Sequence, residues 1–107
     1  MIFVETPAFS SWREAHLDDD AFRQLQNSLL EDPEQGDVLV HGSGLRKVRL
    51  ALPGRGKRGG ARMIYWYRRT ATRIDLLLAY AKNRQNKLTP KQLEVLARYI
   101  NQEQKNG

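Results

Sequence analysis

Residues 45–67, LRKVRLALPGRGKRGGARMIYWY, constrain this chain more than any other stretch. From Leu45 to Leu52 the side chains alternate, so that a strand would place Val48, Leu50 and Leu52 on one face and Lys47 and Arg49 on the other. A second strand-like run covers Ala61 to Arg68. The intervening PGRGKRGG holds four glycines and one proline, which disfavour regular structure, and its Arg55, Lys57 and Arg58 add positive charge. The pattern predicts a β-hairpin with a row of cations on one side and a cationic tip.

Charge is divided unevenly around this hairpin. Residues 1–37 carry nine acids and two bases, a net charge of −7, whereas residues 38–107 carry sixteen bases and three acids, a net charge of +13. From Val38 through Arg73 there are ten Lys or Arg and no acid. So one-sided a cluster repels itself and attracts polyanions, which makes nucleic acid the first partner to consider.

A length of 107 residues fits one domain, residues 1–107, with a core of ordinary size. There is no cysteine, which removes disulfides, thiolate metal sites and cysteine nucleophiles. No run approaches the roughly 18 apolar residues of a membrane span. The start, MIFVETPAF, lacks the charged and apolar regions of a signal peptide, so a cytoplasmic protein without membrane attachment is expected.

Along the chain, Ile2 to Glu5 reads as a short edge strand. Thr6-Pro7, or alternatively Ser11 with Glu14, can cap a helix through His16 with Phe9 and Trp12 on one side. Asp18-Asp19-Asp20 suits the N-terminus of a second helix, about Asp19 to Glu31, because carboxylates there meet unpaired N–H groups and the positive end of the helix dipole. Asp32-Pro33 ends it. Pro33 to Gly44 reads as a loop with room for a brief extended piece at Val38 to Val40. Ile74 to Lys82 is apolar on both faces, as in a strand covered from both sides. Thr89-Pro90-Lys91-Gln92 combines a capping box with a proline at the first helical position, and Leu93, Leu96, Ala97 and Ile100 recur at helical spacing. The expected architecture is α+β, in the order β-α-α-β-β-β-α, with the two N-terminal helices on one face of a small, largely antiparallel sheet and a C-terminal helix.

His16 and His41 are the only histidines and belong to no ligand-spaced cluster, so no metal site and no cofactor is expected. Gly54 to Arg58 lacks the Ser or Thr that follows lysine in a phosphate-cradling loop, and it leads into a strand instead of a helix. Nucleotide hydrolysis is disfavoured. The better candidates are Lys47 and Arg49 on the first hairpin strand, Arg62 opening the second and Lys82 ending the third. If the strands pair in sequence order, these four converge at one end of the sheet. Such crowding without carboxylate partners points to an external anion. Tyr65, Trp66, Tyr67 and Tyr80 lie among the cations, where a flat ring can stack on an unpaired base or, equally, fill the core.

The sequence resembles the RelE/ParE superfamily of toxin–antitoxin toxins over most of its length, and most closely the HigB-type branch. The resemblance is carried by Gly44-Leu45-Arg46-Lys47-Val48-Arg49, the loop Gly54 to Gly60, Arg62-Met63-Ile64-Tyr65, and Tyr80-Ala81-Lys82-Asn83 with Leu88-Thr89. It implies a RelE-like fold and a ribosome-dependent mRNA endoribonuclease that causes growth arrest and is held inactive by a cognate antitoxin. In the HigB-type branch that antitoxin carries a helix-turn-helix domain, so operator DNA is expected to be bound only through the complex. Matched position by position, Lys47, Arg49, Arg62 and Lys82 take the places of the family's active bases, and Asn83 stands where RelE itself has an arginine.

Cleavage of RNA without a metal uses the 2′-hydroxyl as nucleophile and leaves a 2′,3′-cyclic phosphate and a 5′-hydroxyl. A base must take the 2′ proton, an acid must protonate the leaving oxygen, and cations must stabilise the phosphorane. Lysine can transfer protons where neighbouring positive charge favours its neutral form. The candidate catalytic set is Lys57, Arg62, Lys82 and Asn83, with Lys82 or Lys57 in proton transfer. The candidate RNA-binding set is Arg46, Lys47, Arg49, Arg55, Arg58, Tyr65 and Tyr80. Two non-nuclease readings use the same basic face: a ParE-like inhibitor of DNA gyrase and a plain RNA-binding module.

Overall fold

In the computed structural model, which describes residues 1–39, 44–52, 60–85 and 87–106, the chain forms a five-stranded sheet. The elements are β1 (Ile2–Glu5), α1 (Pro7–His16), α2 (Asp19–Glu31), β2 (Asp37–Val38), β3 (Leu45–Leu50), β4 (Ala61–Arg68), a 3₁₀ turn (Arg69–Ala71), β5 (Arg73–Ala81) and α3 (Pro90–Asn106). The strands lie in the order β1-β5-β4-β3-β2; β1 runs parallel to β5 and every other pair is antiparallel. This is the α+β arrangement expected from the sequence. The brief extended piece is Asp37–Val38, and Val40, like the hairpin tip at 53–59, lies outside the described residues.

Because β1 and β2 sit at opposite edges, α1 and α2 must carry the chain across one face of the sheet. Thr6 starts that crossing. Its hydroxyl accepts from Phe9 N at 3.1 Å and donates to Leu77 O at 2.7 Å, which caps α1 and ties it to β5. Asp18 caps α2 by accepting from Ala21 N at 2.7 Å. Phe9 and Leu29 then pack, fully buried, against Met63, Tyr65, Ile74 and Leu76 of the sheet. Burial of side chains this size contributes about 1.5–3 kcal/mol each.

The opposite face buries Leu45, Ile64, Trp66, Leu77 and Tyr80 beneath α3. The capping box of α3 forms as its residues dictate: Thr89 Oγ1 accepts from Gln92 N at 3.1 Å and Gln92 Oε1 from Thr89 N at 3.0 Å. The apolar stripe read for α3 is only partly used, since Leu96 is buried while Leu93 remains 48% exposed. Tyr99 and Ile100 complete the contact. A register shift between Ile64 and Tyr65 gives β5 one extra residue, Leu77, and Leu76 and Leu77 are buried on opposite faces of the sheet.

Candidate nucleic-acid interface

The register of the sheet decides which cations meet. In β3 and β4, Arg49 stands opposite Arg62 and Lys47 opposite Ile64; in β4 and β5, Arg62 stands opposite Tyr80. Since cross-strand partners project to the same side, Lys47, Arg49, Arg62 and Tyr80 share the face that α3 covers elsewhere. Lys47, Arg49 and Arg62 line one polar cavity of about 580 Å³, together with Gln35, Asp37 and Val48. No residue of α3 contributes to it. Among the described residues neither the Lys47 nor the Arg49 side chain has a hydrogen-bond or ion-pair partner, and the Arg62 side chain makes only one bond, from Nη1 to Ala61 O at 3.2 Å. Three cations are thus held together by the sheet and left free to meet an anion.

Lys82 and Asn83 are exposed in the turn that follows β5. Lys82 N donates to Gly60 O at 3.1 Å, which fixes the turn beside the start of β4, where Arg62 lies. Lys82 therefore shares the sheet end of Arg62 without lining the cavity. Arg55, Lys57 and Arg58 lie outside the described residues, as does His41.

Arg46 and Tyr65 are set apart from the cation cluster. They face each other across β3 and β4 on the side packed by α1 and α2. Tyr65 is fully buried, and its hydroxyl donates to Pro33 O at 2.8 Å and accepts from Gly36 N at 3.0 Å. Burial pushes the Tyr65 hydroxyl above its usual pKa, against the opposing effects of the Gly36 N–H and the Arg46 charge. Arg46 donates to Glu34 O at 2.9 Å and Gly36 O at 2.7 Å and approaches the Glu34 carboxylate at 3.6 Å. The placement of both in RNA contact does not fit these positions. The ring has no exposed face on which a base could stack, and the guanidinium already holds the 34–36 segment.

Tyr80, in contrast, borders the cation row. It is 5% exposed, its hydroxyl is buried without a hydrogen-bond partner among the described residues, and burial raises its pKa while Arg62 pulls it down. Its buried ring makes stacking on a base geometrically unsuitable, but the protonated hydroxyl remains an unused donor. His16 stacks on Trp12 at 4.5 Å, with Nδ1 2.9 Å from Trp12 O, an ordinary structural role. Among the described residues no group of His, Cys, Asp or Glu could hold a metal ion, and no helix is long and apolar enough to cross a membrane.

The family model for the RelE toxin of the RelE/RelB toxin-antitoxin system matches residues 2–106. The chain belongs to the RelE toxin family. As a RelE-family toxin it is the toxin half of a toxin–antitoxin pair, and an antitoxin partner follows from that membership.

Two residues that line the cavity escape sequence reasoning. Asp37 and Gln35 reach the cavity because Asp37 pairs with Lys47 on the edge strand. Gly36 permits the approach: a Cβ there would come within 2.8 Å of Lys47 O and 3.0 Å of the Tyr65 ring. The available signal was the position of Asp37, the last acid before the long basic stretch. A larger concavity of 660 Å³, apolar and lined in part by Leu77, Leu78, Val95 and Tyr99, lies apart from these cations.

Proposed function

We propose that this chain is a ribosome-dependent mRNA endoribonuclease of the HigB-type branch, a single toxin domain over residues 1–107 acting in the cytoplasm. It cleaves by 2′-hydroxyl attack without a metal. The observation that carries this reading is the cavity in which Lys47, Arg49 and Arg62 stand together without carboxylate ion pairs among the described residues. A phosphodiester placed there gains charge in the transition state, and fixed cations stabilise that added charge more than they stabilise the ground state. Lys82 or Lys57 takes part in proton transfer, and Asn83 orients the leaving group. The cognate antitoxin carries a helix-turn-helix domain, and operator DNA is bound through the complex. The ribosome supplies what so open a site lacks, an mRNA strand held still in a reactive geometry.

Expression from a tightly controlled promoter, followed by mapping of transcript ends, tests the proposal. New 5′-hydroxyl ends within translated messages are expected, with little cutting of free RNA. Growth arrest with intact messages would remove the nuclease reading, and arrest accompanied by DNA-damage signalling would replace it with gyrase inhibition. Arg62→Ala and Lys82→Ala should each relieve the arrest.

A further inference from the structure

The nuclease reading requires a group that accepts the 2′ proton, and the cavity contains one. Of the described residues that line the cavity, Asp37 carries the only carboxylate. Asp37 sits on the two-residue edge strand β2, directly opposite Lys47 on β3, and projects to the same side of the sheet. It is exposed, and its carboxylate makes no hydrogen bond or ion pair among the described residues. The charged groups around it are Lys47 and Arg49 of β3 and Arg62 of β4; Glu34, the nearest acid in sequence, is turned toward Arg46 on the other face. A carboxylate among three cations without an ion pair to any of them within 4 Å is open to an incoming proton donor.

We propose that Asp37 is the general base of the cleavage reaction. This rests on the nuclease reading given above. The 2′-hydroxyl proton passes to an Asp37 carboxylate oxygen as the 2′-oxygen forms its bond to phosphorus. The bond from phosphorus to the 5′-oxygen then breaks, and that oxygen takes a proton from Lys82, which regains one from solvent. The products are a 2′,3′-cyclic phosphate and a 5′-hydroxyl, and the proton gained by Asp37 returns to solvent. Lysine thus serves as the acid and the carboxylate as the base. The Lys47, Arg49 and Arg62 side chains hold the phosphate beside it.

Single-turnover cleavage of an mRNA on programmed ribosomes, followed across pH with purified wild-type protein and with Asp37→Asn and Asp37→Glu, decides the matter. For Asp37→Asn the expected result is a loss of about 10²-fold or more in rate, the usual contribution of a general base, with unchanged or tighter ribosome binding. The acidic limb of the wild-type pH profile should vanish in Asp37→Asn and return, displaced, in Asp37→Glu. Because the Asp37 side chain is exposed and bonds to nothing described, the melting temperature should not move, which separates the chemistry from folding. A wild type that cleaves alongside an equally fast Asp37→Asn overturns the base role and leaves the nuclease reading standing. An acidic limb lost in His41→Gln but kept in Asp37→Asn also overturns it, as does an Asp37→Asn variant that cuts at full rate but at different codons. A wild type that cuts no ribosome-bound mRNA overturns both proposals.

Discussion

Arg49 and Arg62 face each other across neighbouring antiparallel strands, and neither has an ion-pair partner among the described residues. Like charges in direct cross-strand register oppose folding by roughly 0.2–1 kcal/mol, so the pair is a cost that the sheet carries for another purpose. Arg49→Thr removes one charge at an exposed position and substitutes a residue that favours strands. The expected outcome is a rise in unfolding free energy of about 0.5 kcal/mol, measured by urea denaturation, together with loss of growth arrest on induction.

Salt dependence should separate the two faces of β3. Each phosphate neutralised on a single strand contributes about 0.7 to the slope of log affinity against log salt, so three cavity cations account for a slope of about −2. Fluorescence anisotropy with a short single-stranded RNA should show Lys47→Gln reducing the slope by about 0.7. Arg46→Gln should leave the slope unchanged, because its guanidinium is spent on Glu34 and Gly36 on the opposite face.

The same contrast marks what the sequence could and could not convey. Period-two alternation assigned Lys47 and Arg49 to one side and Val48 and Leu50 to the other without any structure, and the Thr89 capping box and the Asp18 cap announced their helices directly. Tyr65 was ambiguous because a strand aromatic beside cations suits an RNA platform and a core equally; only its register against Arg46 and Leu76 places it under α1 and α2. Asp37 left only the weak signal of its position before the basic stretch, since its place beside Lys47 depends on pairing across a loop, and two residues of strand leave no periodic trace. Leu93 misled for a related reason. Helical spacing shows which residues share a face but not how much of that face is covered, and here Leu96 is buried while Leu93 stays 48% exposed.

Tyr65→Phe should destabilise the fold through the loop that leads to β2. The hydroxyl satisfies both Pro33 O and Gly36 N, and both lose their partner when it is deleted from a fully buried position. Unpaired buried groups of this kind cost about 1–3 kcal/mol, which chemical denaturation of the variant should register directly. Hydrogen exchange at the Gly36 amide should accelerate while the amides of β4 and β5 remain as protected, relative to global stability, as in the parent.

The attachment of α3 makes a pH-dependent prediction. Asp75 is fully buried on β5, where Arg73 grips it with bonds of 2.6 and 3.1 Å, and Tyr99 of α3 donates to its Oδ2 at 2.8 Å. Arg68 lies 3.7 Å from Asp75 and 3.4 Å from Glu103, so α3 docks through this charge cluster as well as through Leu96. Burial, reinforced by the bond to Asp75 and by its charge, pushes the Tyr99 hydroxyl up to about 12. The sign follows from the free value near 10: below that pH the hydroxyl is protonated in both folded and unfolded chains, and its bond stabilises the fold in full. Between pH 10 and about 12 the unfolded chain loses the proton that the folded chain retains, so stability falls as pH rises through this window. At neutral pH, Tyr99→Phe should cost about 1.5 kcal/mol, as expected for a hydrogen bond to a charged acceptor. Lysines titrate in the same range but in both proteins alike, so the difference in denaturation free energy between parent and variant isolates Tyr99. That difference should be constant up to about pH 10 and shrink toward pH 12.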